Sequence, residues 1–313
     1  MTDVGQAPAG AGGGAAARPE AIKAIPIRHW GRWISAAVII YVAVALVVSF
    51  LKNPNTELSV IRQYLFASLV LRGCVVTLYV TFISMVIGIV GGTMLAVMRL
   101  SANYILTSVS GFYIWFFRGT PVLVQILFWG YIGAEYPRIF LGLPFTHVVF
   151  GSFNASSVIA GAVAGILALG LNEAAYMAEF VRAGIISVDA GQTEAAESLG
   201  MGPTLTMRRI ILPQAMRVII PAMGNETISM LKTTSLLVVI AGHELMTNVQ
   251  IVYSQTFQQI PLLIVASIWY LFFTTLMTIG QHYLEAYFGK GFGTGETEAA
   301  EKRAERRAAR AHA

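Results

Sequence analysis

The sequence predicts an all-α polytopic membrane protein with six transmembrane helices and both termini in the cytoplasm. Three observations carry this. Only 12% of the 313 residues are charged while 56% are apolar, against about a quarter charged in a soluble chain. Uncharged apolar runs long enough to cross a bilayer recur through the chain. Arginines and lysines are unevenly divided between the segments that join those runs. The net charge of +5 is spread beside the apolar segments and gathers in no patch, which argues against a nucleic-acid surface. The single cysteine, Cys74, has no internal disulfide partner and opens an apolar run, where packing is its expected role.

Residues 1–27 are rich in Gly, Ala and Pro, lack an apolar period and read as a disordered cytoplasmic tail. The uncharged run 34–51 is the first span. Arg28 and Arg32 precede it as they would a signal peptide, but Lys52-Asn53-Pro54 is no small-residue cleavage site, so an uncleaved anchor is expected. Residues 52–67 form a polar connector. The second span, 74–98, is closed by Arg99. Within it Gly88 and Gly92, with Ser84 one turn earlier, give the small-residue spacing that lets another helix approach closely. The third span, 110–133, contains Arg118, and 134–155 reads as an irregular loop with Pro137, Pro144 and several aromatics. The fourth span, 156–181, has a second small-residue pair, Gly161 and Gly165. A polar island fills 182–214, and the fifth span covers 218–241. After a polar loop, Pro261 opens the sixth span, which ends near residue 285. The remaining Ala-, Arg- and Glu-rich tail is helix-prone and soluble in character.

Six spans place both ends of the chain on one side, and charge decides which. Arg28, Arg32, Arg99, Arg182, Arg208, Arg209, Arg217 and Lys290 then face the cytoplasm, against Lys52, Arg62, Arg72 and Arg138 outside. The polar island is therefore cytoplasmic. Glu194, Ala195 and Ala196 lie in a strong helix-forming stretch whose two alanines keep one face shallow enough for a groove. Gly200 can take the left-handed conformation that ends a helix. Ile210 and Leu212 offer apolar anchorage, and Pro213 suits the entry to the next span.

The order E-A-A, three residues, G, nine residues, I, any residue, L-P resembles the EAA loop of ABC importer membrane subunits. There the loop folds as a short coupling helix that docks on a separate ATPase. Flanking stretches narrow the resemblance to the histidine, glutamine, glutamate and arginine permease branch. They are Phe117-Arg118-Gly119-Thr120-Pro121, Ala175-Tyr176-Met177-Ala178-Glu179, Gly191-Gln192, Leu212-Pro213-Gln214-Ala215 and Leu231-Lys232-Thr233-Thr234-Ser235-Leu236. The resemblance implies a five-helix type I permease core over 68–286, with its coupling loop at 182–214. This chain departs from the branch in an extra transmembrane helix and external connector at 28–67 ahead of that core, and a charged cytoplasmic tail follows at 287–313. The resemblance further implies a second permease copy or sister permease, a cytoplasmic ABC ATPase dimer that holds the ATP and Mg, an extracytoplasmic amino-acid-binding protein, and a bacterial plasma membrane with its lipid. No cofactor is expected on this chain. Asp189 departs from the branch, which often has proline before Gly-Gln.

Ionisable groups inside spans mark pathways or buried pairs. In the fifth span Asn225, Ser229 and Lys232 share one helical face, and Glu226 and Thr233 form a neighbouring line. The stripe lines the substrate pathway, holds two permease cores together or belongs to a Lys-Glu network within the bundle, although Glu226 and Lys232, six apart, do not share a face for a direct pair. Asn172, Glu173 and Glu179 read as a gate or a structural network, and Arg118 as half of a stabilising ion pair. There is no phosphate-binding G-x-x-x-x-G-K-[ST] stretch, no metal-spaced His/Cys cluster and no catalytic constellation, so no enzyme activity is expected of the chain itself. The function implied is the permease of an ATP-driven polar amino acid importer. A stand-alone secondary transporter, which leaves the E-A-A spacing unexplained, or a non-transporting membrane sensor, which would bind the ATPase without moving substrate, is the alternative.

Overall fold

Long apolar helices alternate with breaks at proline and glycine, and the breaks shape the molecule. The computed structural model describes residues 30–53, 56–143, 146 and 148–288. The predicted tail 1–27 and almost all of 287–313 lie outside the described residues. The chain divides into two units, Met1–Asn53 and Pro54–Ala313.

The described part of the first unit is one helix, α1 (Trp30–Lys52), of 23 residues. At 1.5 Å per residue it runs about 35 Å, enough to cross the roughly 30 Å hydrocarbon core of a bilayer. None of its residues is buried.

In the second unit, the connector expected at 52–67 contains a short amphipathic helix, α2 (Leu58–Leu65), which buries Val60 and Ile61. The 32-residue α3 (Ser68–Arg99) follows. The third predicted span is not one helix. It is α4 (Tyr104–Gly119) and α5 (Val122–Glu135), meeting at 99°. Pro121 causes the break. Its ring disfavours helical geometry at the residue before it, and Thr120 is extended at φ −107°, ψ 141°.

The expected loop at 134–155 holds an antiparallel hairpin, β1 (Arg138–Gly142) with β2 (Val149–Asn154). Arg138 pairs with Asn154 and Phe140 with Ser152, with an irregularity between Leu141 and Gly142. The purely α-helical expectation is corrected here: Ile139, Phe140, Val149, Phe150 and Phe153 are good strand formers. A single turn, α6 (Ala155–Val158), leads to α7 (Ala162–Ile186). Gly161 caps α7 at φ +52°, so it is not half of a helical small-residue pair. Gly165 alone makes a close approach, to Leu237.

The polar island forms α8 (Ala190–Ser198), one turn α9 (Pro203–Thr206) and a wide π-helical turn at Met207–Ile211. Next come α10 (Leu212–Thr233) and a 3₁₀ turn at Thr234–Ile240. The expected polar loop after the fifth span contains a helix, α11 (Leu245–Thr256), before α12 (Gln259–Phe288). Among the described residues, three helices are long and apolar enough to cross a membrane (α1, α3 and α12), and counting each of two bent pairs as one span raises the number to five.

The broadest helix pairing is α3 on α7. A Cβ on Gly88 would sit 2.5 Å from Glu173 Cγ, one on Gly92 would strike the Met177 Cβ, and one on Gly170 would lie 2.9 Å from Ile87. Glycines on both helices thus let the backbones close in. Leu231, Leu245 and Leu262 fill one core cluster and Ile126, Leu169 and Leu237 another.

Candidate functional site

The break at Pro121 leaves a polar problem inside an apolar segment. Proline has no N–H, so the carbonyl of Phe117, four residues earlier, loses its helical donor. Two side-chain amides replace it. Gln125 Nε2 and Asn172 Nδ2 each donate to the Phe117 carbonyl at 2.9 Å. Gln125 Nε2 also donates to the Thr120 carbonyl at 3.2 Å and to Thr120 Oγ1 at 2.7 Å. Tyr113 Oη donates to the Leu171 carbonyl at 2.8 Å, tying α4 to α7 a second time.

The elbow forms one wall of a cavity of about 500 Å³. Arg118, Gly119, Thr120, Pro121 and Val122 supply that wall. Leu169, Asn172, Glu173 and Tyr176 of α7, with Glu226, Ser229, Met230 and Thr233 of α10, supply the others. Glu173 is only 3% exposed, and its Oε1 has no hydrogen-bond partner. A buried carboxylate oxygen left unpaired costs about 1–3 kcal/mol or more. Two carboxyl groups and one guanidinium therefore face one space, with an orphan oxygen among them.

The sequence-predicted residues sort differently in space. Glu226, Ser229 and Thr233 line the cavity beside Arg118, Asn172 and Glu173. Residues expected to split into a pathway and a gate thus share one space. Asn225 and Lys232 do not line it and are exposed. The helical period turns them roughly 100–120° away from the cavity-facing line. Glu179 also lies outside the wall; it pairs with Arg182 at 2.7 Å. That is the one ion pair within 4 Å among the described residues, so the pair expected of Arg118 does not form. Its guanidinium instead stands 5.1 Å from the ring centroid of Tyr176, a cation–π contact.

In the polar island, α8 carries Glu194, Ala195 and Ala196. Asp189 caps it, accepting from the Gly191 N–H at 2.7 Å, which gives a physical role to the residue that departs from proline. The helix ends with Gly200 at φ +76°. The Gly200 N–H donates to the Glu197 carbonyl at 2.9 Å and the Met201 N–H to that of Ala196 at 3.0 Å, the paired bonds of a Schellman end. Ala196 is buried, whereas Glu194 and Ala195 are exposed. Ile210 is half-buried, and Pro213 sits in the first turn of α10. Leu212 is exposed, so its expected anchorage is not found within this chain, and Leu199 beside Gly200 is 82% exposed.

Sequence reasoning missed Gln125, Thr120 and Tyr176. Pro121 within an apolar run was the available signal, since it marks a carbonyl in need of a donor one turn back. It also missed Glu244, fully buried, which accepts from Met246 N at 2.6 Å, from Thr247 N and Oγ1 at 2.7 Å each and from Tyr270 Oη at 3.2 Å. The two backbone bonds cap α11.

Comparison with known proteins agrees with this architecture. The arginine transport system permease protein ArgU of Corynebacterium glutamicum is 45% identical over 294 residues, 93% of this chain and 89% of that protein. That match is long enough to include α1. The nopaline transport system permease protein NocM of Agrobacterium fabrum is 39% identical over 202 residues, 64% of this chain and 80% of its own. Among solved structures, a chain of an amino acid ABC transporter with histidines is similar at 34% identity and a TM-score of 0.59, covering 70% of this chain and 94% of that one. The MetNI methionine ABC transporter shares the fold at 17% identity and a TM-score of 0.54, over 70% of this chain and 94% of that one. The family pattern spans residues 88–289, from the close approach of Gly88 to the end of α12. This chain belongs to the binding-protein-dependent transport system inner membrane components, and it is the permease subunit of an ABC amino acid importer.

Proposed function

We propose that the chain imports a cationic amino acid, arginine or a close analogue, through the cavity at the α4–α5 elbow. The single observation that carries this reading is the orphan Oε1 of Glu173, in a wall that also holds Glu226 and Arg118. An amino acid with a cationic side chain brings one carboxylate for Arg118 and two cationic groups for the two glutamates. The arginine permease of Corynebacterium supports the same substrate class. Asn172, Ser229 and Thr233 supply polar groups that can orient the ligand.

In this reading α7 is a crossing as well, although Asn172, Glu173, Glu179 and Arg182 lower its hydropathy. With α1, α3, the α4–α5 pair, α10 and α12 it makes six spans, a five-helix core plus α1, with both termini in the cytoplasm of a bacterial plasma membrane. The coupling element is α8 with Gly200, Ile210, Leu212 and Pro213. Exposed Leu199 and Leu212 supply apolar contacts for a cytoplasmic ABC ATPase dimer, and Glu194 supplies a charge. The ATPase would hold ATP and Mg. Exposed Asn225 and Lys232 on a spanning helix would be costly against lipid, which favours a second permease copy or sister permease over that face. An extracytoplasmic binding protein would deliver the amino acid. ATP-driven movement of α8 would then bias the spans between outward-open and inward-open states, as far as the two states differ in affinity for the partners.

The test is reconstitution with the ATPase and binding protein in proteoliposomes. Arginine, lysine and ornithine should stimulate ATP hydrolysis and uptake, glutamate should not, and Glu173→Gln should abolish the preference. Equal stimulation by glutamate, or an unchanged preference in Glu173→Gln, would overturn the assignment.

A further inference from the structure

We infer that Gln125 is a positioning residue for transport: with Asn172 it clamps the α4–α5 elbow whose turn forms one wall of the substrate cavity. The inference rests on reading that cavity as the substrate's. Gln125 is 7% exposed and lies one turn into α5. The direction of its amide follows from chemistry. Two of its three partners are the carbonyls of Phe117 and Thr120, which only accept, so the nitrogen must face them.

The opposite end of the same amide shows what the clamp requires. Gln125 Oε1 is buried and has no partner. An apolar residue of similar size would remove that orphan acceptor. It would also leave the Phe117 carbonyl with Asn172 alone and the Thr120 carbonyl without this donor. The far side of the elbow offers no alternative, because the space of about 220 Å³ there is walled chiefly by Phe116, Phe117, Val124, Phe128 and Trp129. All three of the amide's partners thus lie on the turn itself.

The clamp also links the cavity to the bend. Asn172 lines the cavity and donates to the same Phe117 carbonyl as Gln125. A ligand that draws on the Asn172 amide leaves that carbonyl to Gln125, so the residue holds the wall in place while the site is occupied. Without it the bent state becomes a fraction of the ensemble, and apparent affinity falls by that fraction.

The test uses the full complex with its ATPase and binding protein, carrying Gln125→Met or Gln125→Glu. Each has nearly the size of glutamine and neither ordinarily donates. Spin labels at exposed Tyr104→Cys and Tyr131→Cys report the bend, because the single native cysteine, Cys74, is buried. Both variants should broaden the label distance and raise the KM for amino-acid-stimulated ATP hydrolysis about tenfold, while basal hydrolysis and kcat change by less than about twofold. Should neither variant reach the membrane, Gln125→Asn, with a shorter reach, should show the same changes more weakly. Wild-type distances and a wild-type KM in the variants that assemble would overturn the clamp. Failure of the wild-type complex to respond to any amino acid is a different result: it removes the substrate reading and this inference with it, whereas unchanged distances remove only the clamp.

Discussion

Gly88 and Gly92 stand one turn apart on α3, yet they should fail in different ways. A Cβ at Gly88 would lie 2.5 Å from Glu173 Cγ and 2.8 Å from its Cβ, where carbon atoms prefer about 3.5–4.0 Å. The nearer atom is mid-chain and the second is fixed to the backbone, so α3 and α7 must part or Glu173 must turn. Overpacking of this kind costs about 1–3 kcal/mol, offset by about 1 kcal/mol from replacing a helical glycine. Gly88→Ala should therefore lose up to about 2 kcal/mol and displace the carboxylate that faces the cavity. A Cβ at Gly92 would strike the Met177 Cβ and come within 2.8 Å of the Ala178 nitrogen, neither of which belongs to the cavity wall. Gly92→Ala should cost as much stability or more and leave the substrate site intact. Gly91→Ala, where only the Ala174 Cβ stands at 3.1 Å, is the mild control. Thermal unfolding in detergent, paired with the KM for amino-acid-stimulated ATP hydrolysis, separates the two effects. Gly88→Ala should raise KM several-fold, and surviving Gly92→Ala complexes should keep it. Equal changes in KM for both variants, or none for Gly88→Ala, would refute the placement of Glu173 at the ligand.

Gly200→Leu puts a side chain on a left-handed residue at a cost of about 1–2 kcal/mol, although nothing lies within 4 Å of its Cβ position; ATPase docking and uptake should fail together in a pull-down and a flux assay. Asp189→Ala removes the cap of α8 and should cost that helix about 1 kcal/mol, seen as faster amide exchange over 190–198. Asp189→Pro should be nearer to neutral, since φ there is −56°, close to the angle proline fixes. Glu244→Ala strips the Met246 and Thr247 N–H groups of their acceptor and should lower stability by more than any of these, on the order of 2–3 kcal/mol, read as a lowered melting point; Glu244→Gln should recover part of the loss.

The long helices were legible because burial in lipid demands a single kind of run, and α1, α3 and α12 follow it to within a few residues at most ends. The breaks were harder. Hydropathy averages over 110–133 and does not register that Pro121 turns the chain through 99°. The connector holding α2 and the loop holding α11 read as polar because their helices bury only one face. The small-residue pair at Gly88 and Gly92 was legible as a close approach, but Gly161 was not legible as a cap, since spacing alone does not reveal a positive φ. At the candidate site, residue types were readable and their grouping was not. Arg118, Glu173 and Glu226 come from three different helices, far apart in sequence, that together line one cavity. No period within one helix carries that information.

One proline accounts for much of this grouping. Pro121 ends α4, strands the Phe117 carbonyl and so calls for amides at positions 125 and 172. Asn172 sits beside Glu173, so the residue that repairs the break also brings a carboxylate to its edge. The missing Cβ at Gly88 leaves room for the stem of that glutamate between α3 and α7. The polar cost of breaking a spanning segment is thus met by side chains that surround a cavity, and the polarity a substrate needs arises where the backbone already required it. Pro121→Ala tests this ordering. If Phe117 regains a main-chain donor, the elbow should straighten and the cavity should lose its affinity even with Glu173, Glu226 and Arg118 all present. A Pro121→Ala complex that keeps both its bend and its KM would show that the bend is set by packing of α5 against α7, with the amides as bystanders.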